Sequence, residues 1–186
     1  HPPVERLVAR DYRRLVNIGS AEGYYVAGLL LRLPQARAEA YDLDPEMQAL
    51  CRRTAELNGV ADRVTIGGLF TGAMFDAPHD AWPALVVCDI EGAEKALLDP
   101  AAYPGLARFD LLVELHQNVD SRMPEIMRER FAATHDVELI AGLPGAAAPW
   151  IASLYEREMD QLAATYEARW GLTSWAVMLR KDGVAA

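Results

Sequence analysis

Two short stretches of the chain combine residue types that do chemistry. Asp89-Ile-Glu-Gly-Ala-Glu94 offers three carboxylates, and Glu114-Leu-His116 offers a carboxylate and an imidazole two residues apart. Residues two apart on a strand point to the same side, so Glu114 and His116 share a face. Imidazole is the side chain best suited to proton transfer near neutral pH. His116 is therefore the candidate base, with Asp89, Glu91 and Glu114 as candidate catalytic partners. Oxygen ligands suit magnesium or calcium, so these four residues could also gather a divalent cation. The expectation is nevertheless a site without metal. Three blander roles compete: His116 as a hydrogen-bonded structural histidine, Glu91 as an acid complementing a helix N-terminus, and Glu94 as a solvated first-turn acid.

A second constellation lies earlier. Asn17-Ile-Gly-Ser-Ala-Glu-Gly23 spaces its glycines as G-x-x-x-G. That is neither the G-x-G-x-x-G of dinucleotide sites nor a phosphate loop with G-K-[ST]. Asp42 follows Gly19 by 23 residues. An ionised carboxylate there can accept both hydroxyls of a ribose. This selects an adenosine-type ligand without a phosphate site. Asp44 is the competing acid, but with Pro45 after it, it suits a helix cap.

These residues matter only if the fold gathers them. Short apolar runs alternate with helical stretches, which predicts a parallel α/β sheet. The expected strands are Leu15–Ile18, Ala38–Tyr41, Arg63–Ile66, Ala84–Cys88, Phe109–Val113, Asp136–Ile140 and Thr173–Arg180. Helices are expected over Val4–Arg14, from Gly23 to Leu33, from Pro45 to Asn58, over Ser121–Ala132 and over Pro149–Trp170. Open parallel sheets bind ligands at the carboxyl ends of their strands. Asn17, Gly19, Asp42, Gly67, Gly68, Asp89, Glu91, Glu114 and His116 all fall at such ends. His79 and His135 read as loop residues. Arg6, Arg10, Arg13 and Arg14 read as one solvated helix face.

Composition narrows the classes. The chain has 186 residues, 52% of them hydrophobic, and a formal net charge of −9. One domain over residues 1–186 is expected. The acidic balance argues against a nucleic-acid partner. No apolar run approaches the roughly 20 residues that a membrane helix needs. Cys51 and Cys88 sit in apolar segments without metal-ligand spacing, as buried free thiols in a reducing cytoplasm would. His1 is an odd first residue and leaves open a segment upstream.

With these residues placed, the chain resembles the class I S-adenosylmethionine-dependent methyltransferases. Val16-Asn-Ile-Gly-Ser-Ala-Glu-Gly23, Tyr41-Asp-Leu-Asp-Pro45 and Asn58-Gly59 match the donor-binding half in order and spacing. Asp89-Ile-Glu-Gly-Ala-Glu94 with Val113-Glu-Leu-His116 resembles the D-[VI]-E-G-x-E and E-x-H pattern of FkbM-type methyltransferases. The resemblance implies a Rossmann-like three-layer sandwich with a mostly parallel seven-stranded sheet. It implies S-adenosylmethionine as cofactor and a small-molecule or sugar hydroxyl as acceptor. It places Gly19 and Gly23 near the donor's methionine part, Asp42 at the ribose, Gly68 and Leu69 beside the adenine, and Asp89 at the methionine end. Asn17, Ser20 and Leu43 complete the set. Where the family often has Asp or Glu, this chain has Asn17, which keeps an acceptor but loses the charge.

The connection before the last strand, residues 143–171, reads as a helical insertion. Its aromatics Trp150, Tyr155, Tyr166 and Trp170 could pack on the core, line an acceptor pocket, or form the surface of a homodimer. Two rival functions stay open: a donor-binding partner subunit without catalysis, and an adenosine-cofactor oxidoreductase.

Overall fold

The computed structural model describes residues 2–79, 82–141 and 173–181. Seven strands form one sheet: β1 Arg14–Ile18, β2 Arg37–Tyr41, β3 Val64–Gly67, β4 Ala84–Cys88, β5 Asp110–His116, β6 His135–Ala141 and β7 Thr173–Arg180. Their order is β3-β2-β1-β4-β5-β7-β6. The first five pair in parallel, and β7 runs antiparallel to both β5 and β6. This is the Rossmann-like, mostly parallel seven-stranded sheet expected from the sequence.

Sequence explains which strands lie centrally. All five residues of β4 and all seven of β5 are buried. A strand covered on both faces needs a continuous apolar run, and Leu85-Val86-Val87-Cys88 supplies one. One face packs under helices α1 Pro2–Val8, α2 Tyr24–Arg32 and α3 Pro45–Leu57, through Leu7, Leu30 and Cys51. The other packs under α4 Glu94–Leu97 and α5 Met123–Phe131, through Leu98, Met127 and Phe131. Each large apolar side chain fully buried there stabilises the fold by about 1.5–3 kcal/mol. Helix α3 begins as its sequence says: Pro45 opens it and the Asp44 carboxylate accepts from the Glu46 N–H at 2.8 Å.

Other expectations change. The N-terminal helix stops at Val8 instead of reaching Arg14. Asp11 takes a left-handed φ of 49°, and Tyr12 turns into the core. The four arginines do not share a helix face. Arg6 pairs with Glu138, Arg10 with Asp110, Arg13 with Asp11 and Arg14 with Glu39. Arg6 and Arg10 tie the N-terminal segment to β6 and β5, and Arg14 ties β1 to β2. His135 is not a loop residue: it opens β6 and is buried. The expected helix over residues 149–170 and its aromatics lie outside the described residues. No helix among the described residues is long and apolar enough to cross a membrane.

Candidate active site

Strand order reverses between β1 and β4, and the two expected constellations meet at that point. Gly19 follows β1 with φ at 75°, and a Cβ there would run into the carbonyl oxygen of Asp89. Only glycine satisfies both the left-handed backbone and this close approach. The Gly19 and Ser20 N–H groups donate to the Tyr41 carbonyl at 2.9 and 3.0 Å, and the Asp89 N–H donates to Ile18 at 3.0 Å. The ends of β1, β2 and β4 are thereby fixed to one another.

Asp42 spans two loops at the end of β2. One carboxylate oxygen accepts from the Ala21 N–H at 2.8 Å and the other from the Asp44 N–H at 2.9 Å. Each oxygen keeps a further lone pair for a ligand hydroxyl. A cleft of about 550 Å³ opens here, and Gly19, Asp42, Leu43, Gly68, Leu69, Asp89 and Glu91 all line it. Leu43 and Leu69 are 73% and 65% exposed at its lip. Solvent-exposed leucines beside a carboxylate suit a ligand with a flat apolar group next to hydroxyls.

Three expected donor contacts do not line the cleft. Asn17 is buried and its amide donates to the Val87 carbonyl at 3.3 Å. It braces β1 against β4. Ser20 is buried behind the loop. Gly23 starts α2, and a Cβ there would come within 2.9 Å of the Cys51 sulfur, so its smallness serves helix packing. The G-x-x-x-G spacing thus divides into one site glycine and one packing glycine.

The other expected constellation lies beneath the Glu91 end of the cleft. His116 is the last residue of β5 and is 1% exposed. Its Nδ1 lies 2.8 Å from Oε1 of Glu94. Glu94 opens α4 and is 0% exposed, which corrects its reading as a solvated acid. The same oxygen accepts from the Ile90 and Gly92 N–H groups, each at 3.2 Å. The turn at Glu91 (φ 53°) and Gly92 (φ 108°) folds residues 90–92 over this carboxylate. A backbone loop needing an acceptor, and a histidine needing an orienting partner, are both served by one buried oxygen.

The other ring nitrogen faces the Asp89 and Glu91 carboxylates. His116 Nε2 lies 3.1 Å from Glu91 Oε2 and 3.7 Å from Asp89 Oδ1, yet makes no aligned hydrogen bond. Glu91 stands at the rim with its side chain 77% exposed. Glu114 is buried, and one polar atom each of Asp89, Glu114 and His116 lies within 4.8 Å of the others. The structure therefore brings together all four expected catalytic residues and adds Glu94. Neighbouring Cys88 feels this cluster. Burial pushes its thiol well up, and the charges of Glu94 and Asp89 push it further. Cys51 is also raised, chiefly by burial. Both cysteines are free, buried and poorly ionised, so neither is a nucleophile.

No protein-family model matches the chain. The release factor glutamine methyltransferase of Deinococcus radiodurans is 33% identical over 72 residues, a match that covers 39% of this chain. The match spans about a quarter, 26%, of that relative's length. The O-methyltransferase TomG from Streptomyces achromogenes, involved in tomaymycin synthesis and crystallised with S-adenosylmethionine, superposes with a TM-score of 0.63 at 14% identity. That superposition covers 96% of this chain and 78% of TomG. An O-methyltransferase from Bacillus cereus in complex with S-adenosylhomocysteine gives 0.62 at 12% identity, covering 95% and 78% of the two chains. A precorrin-6y C5,15-methyltransferase from Geobacter metallireducens gives 0.62 at 11% identity, covering 97% and 86%. The chain has the fold of the class I S-adenosylmethionine-dependent methyltransferases.

Proposed function

We propose that residues 1–186 form one methyltransferase domain that transfers a methyl group from S-adenosylmethionine to a hydroxyl of a small molecule or sugar, and that it is of the FkbM type. The observation that carries this reading is a single cleft joining two chemistries. At one end are a ribose-type acceptor and apolar walls. At the other are the carboxylates of Asp89 and Glu91, with the buried Glu114 and His116 packed behind them. Structural neighbours crystallised with S-adenosylmethionine or S-adenosylhomocysteine support the choice of donor.

The residues fit that donor. Asp42 has lone pairs left for the ribose hydroxyls. Leu43 and Leu69 offer apolar surface for the adenine, with Gly68 between cleft and α3. Gly19 and Asp89 line the same cleft, Gly19 proposed beside the donor's methionine part and Asp89 as the carboxylate for its ammonium. The bound donor supplies a methyl carbon already activated by a positive sulfur, so the protein's task is positioning and electrostatics. A hydroxyl acceptor must lose its proton as it attacks. Asp89, Glu91, Glu114 and His116 are the groups proposed to take that proton. FkbM-type spacing of these acids and the histidine supports the subfamily.

Calorimetry with S-adenosylmethionine and with NAD tests the ligand class, and mass spectrometry of the purified protein looks for retained nucleoside. Release of S-adenosylhomocysteine over a panel of small-molecule and sugar hydroxyls tests the reaction. Donor binding with turnover on a hydroxyl is the expected result. Binding of NAD alone would make the chain an oxidoreductase. Donor binding without turnover on any acceptor would make it a partner subunit.

A further inference from the structure

We propose that the outer face of α2 and α3 is the surface through which two copies of this chain form a two-fold symmetric dimer, with the axis at Gly28. Seven large apolar side chains are exposed among the described residues, and Leu43 and Leu69 of these belong to the cleft. Four others sit on these two helices: Tyr24 (71%) and Leu31 (57%) on α2, Leu50 (47%) and Leu57 (70%) on α3. Both helices link parallel neighbouring strands, so they run the same way. They touch where Gly23 packs against Cys51. Tyr24 and Leu50 adjoin that contact in sequence. Two turns further along each helix, Leu31 and Leu57 repeat the pair on the same side. The four form one apolar surface, and a surface of that kind on a soluble domain marks an interaction site.

Gly28 supplies the independent observation. It lies inside α2, where glycine weakens a helix relative to alanine. The fold itself gives no reason for it. Among the described residues, nothing lies within 4 Å of the position that a Cβ would take. Gly23 differs in this respect, because Cys51 crowds it. Gly28 is exposed between Tyr24 and Leu31, four residues after the one and three before the other. A missing side chain at that point lets the backbone of a second helix come close.

The second helix is α2 of another copy, because the face complements itself. With two α2 helices antiparallel and crossing at Gly28, Tyr24 of each copy meets Leu31 of the other. A two-fold axis demands such reciprocal pairs. Glu22, exposed before the amino end of α2, then falls opposite Arg32 at the far end of the other helix. Arg32 also holds Glu5, at 2.6 and 2.8 Å. Antiparallel helix dipoles attract as well, whereas parallel helices would set Glu22 against Glu22. Charge favours this face over the rest of the surface. The chain carries −9, so two copies repel, yet α2 and α3 together carry three arginines and two glutamates. Tyr24, Gly28, Leu31, Leu50 and Leu57 do not line the cleft, so the dimer does not depend on the methyltransferase reading.

The test is sedimentation equilibrium of the full chain from about 1 to 100 µM. We expect a dimer that dissociates in the micromolar range. Leu31→Glu and Gly28→Leu should each weaken it at least tenfold. Both variants should fold, because Leu31 is exposed and the space beside Gly28 is open. Gly28→Leu should melt at or above wild type in dilute solution, leucine being the better helix former. Gly28→Cys should form an interchain disulfide under mild oxidation. The axis brings its two copies within reach, and Cys51 and Cys88 are buried. A wild-type protein that stays monomeric at about 100 µM overturns the interface. A dimer indifferent to Leu31→Glu and Gly28→Leu uses another surface and overturns it too. A dimer weakened by both, whose Gly28→Cys form does not cross-link, overturns the axis at Gly28.

Discussion

The two ends of β5 both bury ionisable groups, and they treat them differently. At the amino end, Asp110 is 2% exposed. One of its oxygens accepts from the Tyr12 hydroxyl and the Arg10 guanidinium, each at 2.7 Å, and the other accepts from the Arg180 N–H at 2.7 Å. Burial, and then the charge of Asp110, push the Tyr12 phenol far up, so it remains a donor. Nearby His135 is equally well served. Its Nε2 donates to the Phe109 carbonyl at 2.7 Å, and its Nδ1 meets the Thr134 hydroxyl at 2.8 Å. At the carboxyl end, Glu94 gives one oxygen to three donors, while its second oxygen is buried without a hydrogen bond. His116 likewise has one ring nitrogen held and one without an aligned partner. Satisfied buried charge is a structural device. Half-satisfied buried charge is costly, and folds keep it where a ligand completes it.

That contrast predicts opposite outcomes for opposite ends. Removing His116 should cost turnover and leave donor affinity intact. His116→Ala is expected to lower S-adenosylhomocysteine release by about 10²–10⁴-fold, with donor affinity near wild type in the folded protein. A variant that keeps full turnover makes His116 structural and erases the distinction. Asp110→Ala should do the reverse. It leaves the Tyr12 hydroxyl and the Arg180 N–H buried and unpaired, at about 1–3 kcal/mol each. Arg10 is 39% exposed and adds little, because water replaces its partner. Denaturant titration should show this loss while the folded fraction keeps its donor affinity. A drop in donor affinity at constant stability would tie the amino end to the site.

A smaller effect probes the donor side of the cleft. Asp42→Ala removes a charged acceptor for the ribose and should weaken S-adenosylmethionine binding by about 1–3 kcal/mol in calorimetry. Part of any loss comes through the loop, since Asp42 also holds the Ala21 and Asp44 N–H groups. Asp42→Asn keeps an acceptor oxygen and should fall between the two. Equal affinity for all three proteins would remove Asp42 from the donor site.

The Gly19 and Asp42 end of the cleft was the more legible in sequence because its signals are local. A glycine after a strand, an acid at the end of the next and a Pro-capped helix each declare themselves within a few residues. Gly19 and Asp42 stand at the ends of β1 and β2, and Asp44 caps α3, for that reason. Gly23 misled because its spacing fits a loop glycine, whereas its neighbour Cys51 lies on another helix. Glu94 was misread for a related cause. A charged residue in a first helical turn is usually solvated, and only the chain reversal at Gly92 brings it under the loop against His116. A glycine two residues before an acid that itself follows a strand end was the signal available. The end of α1 was hidden in the same way, because Tyr12 and Arg10 find their partner on β5, about 100 residues away.

The smallest effect is a pH dependence at the satisfied end. Burial holds the His135 pKa below its ordinary value, against the opposing pull of its hydrogen bond to Phe109. The folded protein therefore resists a proton that the unfolded chain accepts near pH 6.5. The unfolded state binds more protons in the interval between the two values, so stability rises with pH there. His135 should contribute its full stabilisation above about pH 6.5. That contribution should fall as the pH drops toward the lowered folded value, and level off below it. The slope from this one group cannot exceed about 1.4 kcal/mol per pH unit. His135→Gln keeps a donor toward the Phe109 carbonyl and removes the titration. Its denaturation free energy should start somewhat below wild type at pH 7.5 and converge on it as the pH falls to 5. Other titrating groups are common to both proteins and cancel in the difference. Parallel curves would mean that His135 takes up its proton equally in both states, and that the amino end of β5 is more open to water than its burial implies.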